Sequence, residues 1–186
     1  MWPLAISDRY VSPMRFLLTF IGIFIIWANL NAQVLNASYE ILEQLPNTFK
    51  NAAISDVVTY SIKEDMNPFY LEGDFNGQGT LDVAICIFAP ITGKQGILIQ
   101  HGEDRSFAVL GAGLTFNDMD NFNWMDVWKV YREKTAERTI FSENFDIEGS
   151  ETITLSNIAI QVAHSEGSYN LITWDGTKYI WIHTGE

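Results

Sequence analysis

The chain contains a single cysteine, Cys86, in 186 residues. An internal disulfide needs two cysteines, so none can form. Cys86 lies in the apolar run LDVAICIFAP, and we therefore interpret it as a buried, inert thiol rather than a nucleophile. The fold must be stabilised by core packing, together with any metal ion that the chain binds.

Positive charge is also scarce. Lys and Arg number 11 against 23 Asp and Glu, which gives a formal net charge of −12. A chain this acidic is repelled by phosphate backbones and by anionic membrane surfaces. We therefore predict no nucleic-acid partner. The acidity is compatible with divalent cations, although it points to no particular site.

The motifs of common enzyme classes are missing. The sequence has no G-x-S-x-G, no H-E-x-x-H, no Walker loop and no C-x-x-C. Its three histidines are scattered along the chain. His101, Asp104 and Ser106 fall within one short segment, whereas the members of a catalytic triad usually converge from distant segments. We interpret that segment as an ordinary polar turn and expect a non-catalytic protein.

The longest apolar run lies near the N-terminus. Phe16 to Trp27 follows Arg15 and precedes the more polar ANLNAQ. A basic start, an apolar segment and a small residue before the cut are typical of a secretory signal peptide. We predict a signal peptide over residues 1–32, cleaved after Ala32, with Met14 as an alternative start.

An uncleaved membrane anchor is the alternative, although asparagines interrupt the run short of the roughly 20 apolar residues that a spanning helix needs. With cleavage, residues 33–186 form a single exported domain, periplasmic or secreted. No stable membrane insertion is then expected after the signal is removed.

The stretch Asp74 to Asp82, DFNGQGTLD, has the layout of a calcium-binding loop. Calcium takes six to eight oxygen ligands, and a tight loop supplies them at alternate positions, with a main-chain carbonyl at the seventh and a glycine at the sixth. Gly79 stands at the sixth position. The ligands predicted from the spacing are Asp74, Asn76, Gln78, the main-chain carbonyl of Thr80, and Asp82.

The flanks of this loop are rich in β-branched and aromatic residues, so we predict that it joins two strands. The segment EGDFNGQGTLDVAI resembles the GDFNGDGxxDxA signature of FG-GAP and VCBS-type repeats. The resemblance implies that the same residues bind calcium, with Gln78 where the family usually carries an aspartate. A strand–turn–strand connection without metal is the alternative, because Asp, Asn and Gly also favour turns.

The resemblance extends weakly beyond the loop. The segments GKQGILIQHG, FNWMDVWKVY and ITWDGTKYIWIHTGE are similar to a small group of exported bacterial proteins that carry one such loop and have no established activity. The resemblance implies a fold but no catalytic activity. Only one copy of the loop is present, so a multi-bladed propeller is not indicated.

Hydrophobic periodicity predicts an α+β fold. Apolar spacing in Tyr39 to Lys50 predicts a helix, which Pro46 breaks or restarts. We expect one or two N-terminal helices packed on an antiparallel meander sheet of about six strands. Strand-like sequence patterns occur at Phe69–Phe75, Leu81–Phe88, Gly96–Gln100, Phe107–Leu110, Trp124–Arg132, Ile153–Ala163, Tyr169–Trp174 and Lys178–His183. Asp175 and Gly176 predict a tight type I′ hairpin between the last two.

Two further features are candidates for binding. The loop 116–126 is dense in aspartate, asparagine and aromatic residues, and Asp118, Asp120 and Asp126 could bind a second cation or a basic partner. A solvated acidic loop with Phe122 and Trp124 tucked into the core is the alternative. Four aromatics could form a sugar-stacking platform or simply pack in the core and the hairpin: Trp128, Trp174, Tyr179 and Trp181.

These patterns predict an exported, non-catalytic binding protein, stabilised by calcium in the 74–82 loop, whose partner is an unknown protein or glycan. Two alternatives stay open. One is a secreted hydrolase that uses the acidic 116–126 loop. The other is a periplasmic inhibitor or immunity-type protein that presents the same loop to its target.

Overall fold

The structure is a computed structural model that describes residues 43–47, 49, 60–167 and 169–185. The described chain is built almost entirely from antiparallel β-strands, in three sheets. The eleven strands are β1 Ser61–Ile62, β2 Tyr70–Gly73, β3 Asp82–Phe88, β4 Gln95–Gln100, β5 Phe107–Gly111, β6 Val127–Tyr131, β7 Thr135–Phe141, β8 Ile147–Thr154, β9 Ala159–Ala163, β10 Tyr169–Trp174 and β11 Tyr179–His183.

The prediction of an α+β fold with N-terminal helices is wrong. The described residues contain no complete helix, and only residues 43, 44, 47 and 49 have helical backbone. Pro46 has no N–H to donate, and Phe49 N–H bonds to the Pro46 carbonyl at 3.0 Å, which closes a turn. Residues 39–42, 48 and 50 of the predicted helix lie outside the described residues, as does the predicted signal peptide over residues 1–32.

The first sheet contains β1 to β5. Its order is β1-β3-β4-β5, and β2 pairs with β3 beyond β1 along the same edge. From β2 to β5 the chain is an antiparallel meander, as the closely spaced strand patterns predict. This meander carries the 74–82 loop, which joins β2 to β3.

The central strand β3 is buried on both faces, which explains its nearly unbroken apolar sequence. Successive side chains of a strand point to opposite faces. Ala84 and Cys86 accordingly belong to one core cluster, and Val83, Ile85 and Ile87 belong to a second. Leu45 and Phe49 pack in the second cluster, so the segment predicted as a helix does cover the sheet.

The second sheet has the order β11-β10-β9-β6. Its inner side chains, including Trp128, Ile160 and Ile172, share a core cluster with Ala84, Cys86 and Ile97 of the first sheet. The hairpin between β10 and β11 is confirmed. Its loop has four residues, 175–178, because Trp174 pairs with Tyr179, so the predicted two-residue turn is wrong. The Asp175 carboxylate accepts the N–H groups of Thr177 and Lys178 and sets this longer turn.

Strands β7 and β8 form a separate two-stranded hairpin between β6 and β9. Its base packs on the second sheet, where Ala136 and Leu155 share a small core with Ala159, Leu171 and Ile182. An isolated bridge also joins Arg138 to Thr184. The sequence pattern missed this hairpin, since polar residues occupy most of it.

Among the residues that the structure describes, no helix is long and apolar enough to cross a membrane.

Candidate metal site

The 74–82 loop connects two paired strands, and Gly73 and Asp82 are direct partners in the antiparallel ladder. The predicted position of the loop between strands is therefore confirmed. The loop closes on itself through side-chain oxygens that accept backbone N–H groups. The five predicted ligands occupy one continuous turn, although their roles in that turn differ.

Asp82 holds the loop closed from inside. Its side chain is fully buried. Oδ2 accepts the backbone N–H groups of Phe75 at 2.8 Å and Asn76 at 3.2 Å, and Oδ1 accepts that of Gly102 at 2.9 Å. A carboxylate offers about four acceptor positions. Three are used by the backbone, so Asp82 ties the loop to the β4–β5 turn and retains one position for a cation.

Asp74 contributes differently. Its Oδ2 accepts the N–H of Gly79 at 2.9 Å, and this bond holds residues 74 and 79 close together. Its Oδ1 is buried and, within the described residues, has no hydrogen-bond partner. The hydroxyl oxygen of Thr80 is in the same state. A buried carboxylate oxygen without a donor is costly, and a cation satisfies it.

Asn76 and Gln78 complete the turn. Asn76 is buried, and its Oδ1 accepts the N–H of Gln78 at 3.1 Å, while the side chain of Gln78 is exposed. Gly77 has φ +76°, and a Cβ there would lie 2.2 Å from the side-chain oxygen of Asn157. The positive φ favours glycine, and any larger residue would displace the Asn157 side chain, so the loop lies close to the segment that precedes β9.

A histidine and a tyrosine lie beside the loop. Tyr179 is buried, and its hydroxyl lies 3.1 Å from His101 Nε2. Burial raises the pKa of Tyr179, and the negative charges of Asp82 and Asp74 raise it further. The phenol therefore stays protonated near two carboxylates. His101 also contacts Ser106 through Nδ1 at 3.1 Å, which accounts for the polar turn that the sequence suggested.

The donor set fits a hard cation. Nowhere in the described ranges do three His, Cys, Asp or Glu side chains converge in a metal-binding group, and the loop brings only two carboxylates together. Its other candidate donors are amide and carbonyl oxygens, the mixture that calcium accepts and zinc does not favour. Asp74, Asn76, Gln78, Thr80 and Asp82 would hold the ion, and it would supply the missing partner for Asp74 Oδ1.

The acidic 116–126 loop does not form a second cation site. Phe116 and Met119 exchange two backbone hydrogen bonds around Asn117 and Asp118, and Asp118 is exposed at the tip of that turn. Asp120 pairs with Lys94. Asp126 accepts the N–H and hydroxyl of Ser165 at 2.7 and 2.8 Å, and these bonds lower its pKa.

Each carboxylate of that loop thus has its own surroundings, and the structure does not bring the three together. Phe122 is fully buried and Trp124 is partly buried. The alternative interpretation, a solvated acidic loop with its aromatics in the core, is confirmed for Phe122.

The four aromatics considered as a sugar platform do not form one surface. Trp128 and Tyr179 are buried in the core, and Trp128 Nε1 donates to the Pro68 carbonyl at 2.7 Å. Trp174 and Tyr179 are cross-strand partners with ring centroids 5.0 Å apart. The interpretation as core and hairpin packing is confirmed for these three residues.

The exposed end of the β7–β8 hairpin is a surface that sequence reasoning missed. Phe145 is 85 % exposed and Ile147 is 73 % exposed. The segment FSENFDIE places apolar residues on either side of turn-forming serine and asparagine. These apolar residues beside a turn were the available signal for a hairpin, and the polar residues around them obscured it.

Comparison of the chain with protein-family models, with curated proteins and with solved structures found no match. The resemblance of the 74–82 loop to calcium-loop repeats therefore remains a prediction.

Proposed function

We propose that the protein is an exported, non-catalytic binding protein that is stabilised by one calcium ion in the 74–82 loop. The observation that carries the calcium assignment is the buried Oδ1 of Asp74, which has no hydrogen-bond partner among the described residues. The glycine at the sixth position, with φ +82°, and the closure of the loop by Asp82 support the same assignment. The proposal includes the periplasmic or secreted location that residues 1–32 predict.

Calcium would stabilise more than a surface turn. The loop lies against Asn157 at Gly77, the end of β2 lies against Ile158 at Gly73, and Asp82 accepts the N–H of Gly102. It therefore joins the β2–β3 connection to the β4–β5 turn and to the segment before β9. An ion held there would stabilise the native state relative to the unfolded chain, in which the ligands are dispersed.

The binding part of the proposal is supported by the β7–β8 hairpin. Apolar side chains that contribute to no core are exposed at its end, and exposed apolar groups gathered in one place are typical of interaction sites. The partner would be a protein or a glycan.

The calcium assignment is tested by thermal unfolding of the full chain in calcium and in chelator. At about a hundredfold excess of calcium over its dissociation constant, the free energy of unfolding should rise by about 2.7 kcal/mol. Asp74→Asn should remove most of this increase, because the unpaired carboxylate oxygen is replaced by an uncharged amide.

Asp118→Asn is the matched control, because Asp118 lies in another acidic turn and asparagine tolerates its φ of +60°. It should keep the full calcium response. A calcium-dependent increase that persists in Asp74→Asn would overturn the assignment of the loop.

A further inference from the structure

The end of the β7–β8 hairpin, residues 140–148, exposes four apolar side chains. We call this segment the hairpin tip. Their exposed fractions rise toward the turn: Ile140 37 %, Phe141 40 %, Ile147 73 % and Phe145 85 %. Single exposed apolar residues are ordinary on protein surfaces. Here Phe141 and Ile147 are cross-strand partners and lie on one face of the hairpin. Phe145 lies in the turn beyond them, so the apolar exposure is concentrated at one end of the hairpin.

The turn is held in a fixed shape by Ser142. Its hydroxyl accepts the N–H groups of Asn144 at 3.2 Å and Asp146 at 3.1 Å. Its own N–H donates to the Asp146 carbonyl at 2.8 Å, and its carbonyl accepts the Phe145 N–H at 3.0 Å. These four bonds fix the backbone on both sides of Phe145. A turn ordered in advance lowers the entropy lost when a partner binds.

Phe145 has a left-handed backbone conformation, with φ +64°. That conformation is unfavourable for a bulky residue, and glycine or asparagine would adopt it more easily. The turn therefore carries an aromatic side chain at a position where folding alone would select a different residue. Backbone strain of this kind is found more often at functional sites than elsewhere in a protein.

The base of the hairpin is anchored, so the tip has a defined direction. Ala136 and Leu155 pack in a small core with the second sheet, and an isolated bridge joins Arg138 to Thr184. Phe141, at the start of the hairpin tip, packs edge-on against His183 of β11, with ring centroids 5.2 Å apart. The hairpin is thus fixed to the second sheet as far as Phe141, and Phe145 and Ile147 lie beyond that contact.

The charge of the tip indicates its partner. Glu143, Asp146 and Glu148 surround the apolar group, and residues 139–150 contain no Lys or Arg. An apolar anchor with an acidic collar is complementary to an apolar pocket with a basic rim. An anionic membrane surface has an apolar interior but the wrong sign of charge.

We propose that the hairpin tip is a docking element that inserts Phe145 into an apolar pocket, rimmed by Lys or Arg, on a partner protein. This inference rests on the proposed function as a binding protein and names the class of its partner. Phe145 and Ile147 supply the buried contacts, and the three carboxylates orient the encounter.

The test is selection, on the full chain in calcium, of a phage-displayed library of a small folded domain that is randomised across a concave face. The selected domains should place Lys or Arg around an apolar pocket, and their binding should weaken as salt is added. Phe145→Asn should weaken binding by about thirtyfold, the loss expected for a binding hot spot. Asparagine suits the left-handed turn, so this variant retains the fold.

Two controls complete the design. Ile91→Ala removes an apolar residue that is 95 % exposed in the β3–β4 turn, and this variant should bind the selected domains as the unchanged chain does. Glu143→Lys with Glu148→Lys should weaken binding while Phe145 is unchanged. Selected domains whose binding is unaffected by Phe145→Asn would overturn the proposal.

Two other occupants are also tested. A dimer in sedimentation that Phe145→Asn abolishes would show that the tip binds a second copy, and flotation with phosphatidylcholine vesicles that the same variant abolishes would show a lipid surface. Either result overturns the basic-rimmed pocket. Calcium should stabilise Phe145→Asn as it stabilises the unchanged chain, so failure of the docking proposal is distinguishable from failure of the calcium assignment.

Discussion

Asp82 is the residue on which the candidate site depends most. Its carboxylate is fully buried and accepts backbone N–H groups from Phe75, Asn76 and Gly102. These donors come from two separate turns, so one side chain fixes the loop and its neighbour together. Hydrogen bonds to a charged acceptor contribute more than bonds between neutral groups.

We expect Asp82→Ala to lower the free energy of unfolding by about 3 kcal/mol or more, because buried N–H groups lose a charged acceptor. The loss should be present in chelator as well as in calcium, unlike that of Asp74→Asn. Urea unfolding of the full chain under both conditions measures it.

Asp104→Ala is the comparison for this prediction. Asp104 also accepts a backbone N–H, that of Ser106 at 2.9 Å, but in an exposed turn. Asp104→Ala should lower the free energy of unfolding much less than Asp82→Ala does. Equal losses for the two variants would show that burial of Asp82 does not matter.

At this scale the sequence predicted the loop and missed one of the hydrogen bonds that hold it, and the ligand set stays a prediction. Alternating oxygen side chains and two glycines predict the turn because the rule is local. The bond from Gly102 to Asp82 joins residues far apart in the chain and depends on how β3, β4 and their turns pack. Nothing in the spacing of Asp74 to Asp82 specifies it.

Among the elements, β11 connects the core to the β7–β8 hairpin. Trp181 donates its indole N–H to His183 Nδ1 at 3.3 Å, and the His183 ring contacts Phe141. Burial lowers the pKa of His183 below its ordinary value. The neutral ring is the form that accepts the bond from Trp181.

Acidification should break this contact. The folded pKa of His183 lies below the unfolded value of about 6.5. The neutral ring therefore stabilises the fold fully above about pH 6.5. This stabilisation is lost as the pH falls through the folded pKa, because the unfolded chain takes up the proton more readily. We expect tryptophan fluorescence to change over this range. His183→Gln should remove the change, since glutamine does not titrate.

Trp181→Phe tests the origin of that signal, because it removes the donor and leaves the histidine. The transition should then vanish from the fluorescence while the His183 proton resonances still titrate. A transition of unchanged size in both variants would assign it to another histidine.

Most strands were predictable, and the exceptions have physical causes. Runs rich in β-branched residues predicted β3, β4 and β10, since these strands are buried in the sheets. Strands β7 and β8 are mostly exposed, so hydrophobic periodicity gave no signal. The predicted helix over Tyr39 to Lys50 is absent from the part of this segment that the structure describes. Apolar spacing alone does not distinguish a helix from a turn that buries Leu45 and Phe49.

In the molecule as a whole, Cys86 lies in the core that the two sheets share. It is 1 % exposed, and burial raises the pKa of its thiol far above the ordinary value. The interpretation of Cys86 as a buried thiol is confirmed. Only the thiolate reacts readily with disulfide reagents. The native structure therefore protects Cys86 in two ways: burial keeps reagents away from the sulfur, and the raised pKa keeps the thiol protonated.

We expect Cys86 to react with a disulfide reagent only when the sheets separate. Labelling should be very slow in native buffer and should accelerate across the urea unfolding transition. Calcium should slow the labelling further if it stabilises the native state. Rapid labelling in native buffer that is independent of calcium would show that the shared core opens locally around β3.

The attachment of the β7–β8 hairpin has a consequence for how this protein can change during evolution. Thr135 and Thr154 are paired at the base of the hairpin, so the chain leaves and re-enters the sheet at a single point. Residues between them can vary in length and sequence while the strand pairing around the 74–82 loop stays intact. The fold therefore permits one hairpin to be replaced by another without a change in the two sheets that form the core.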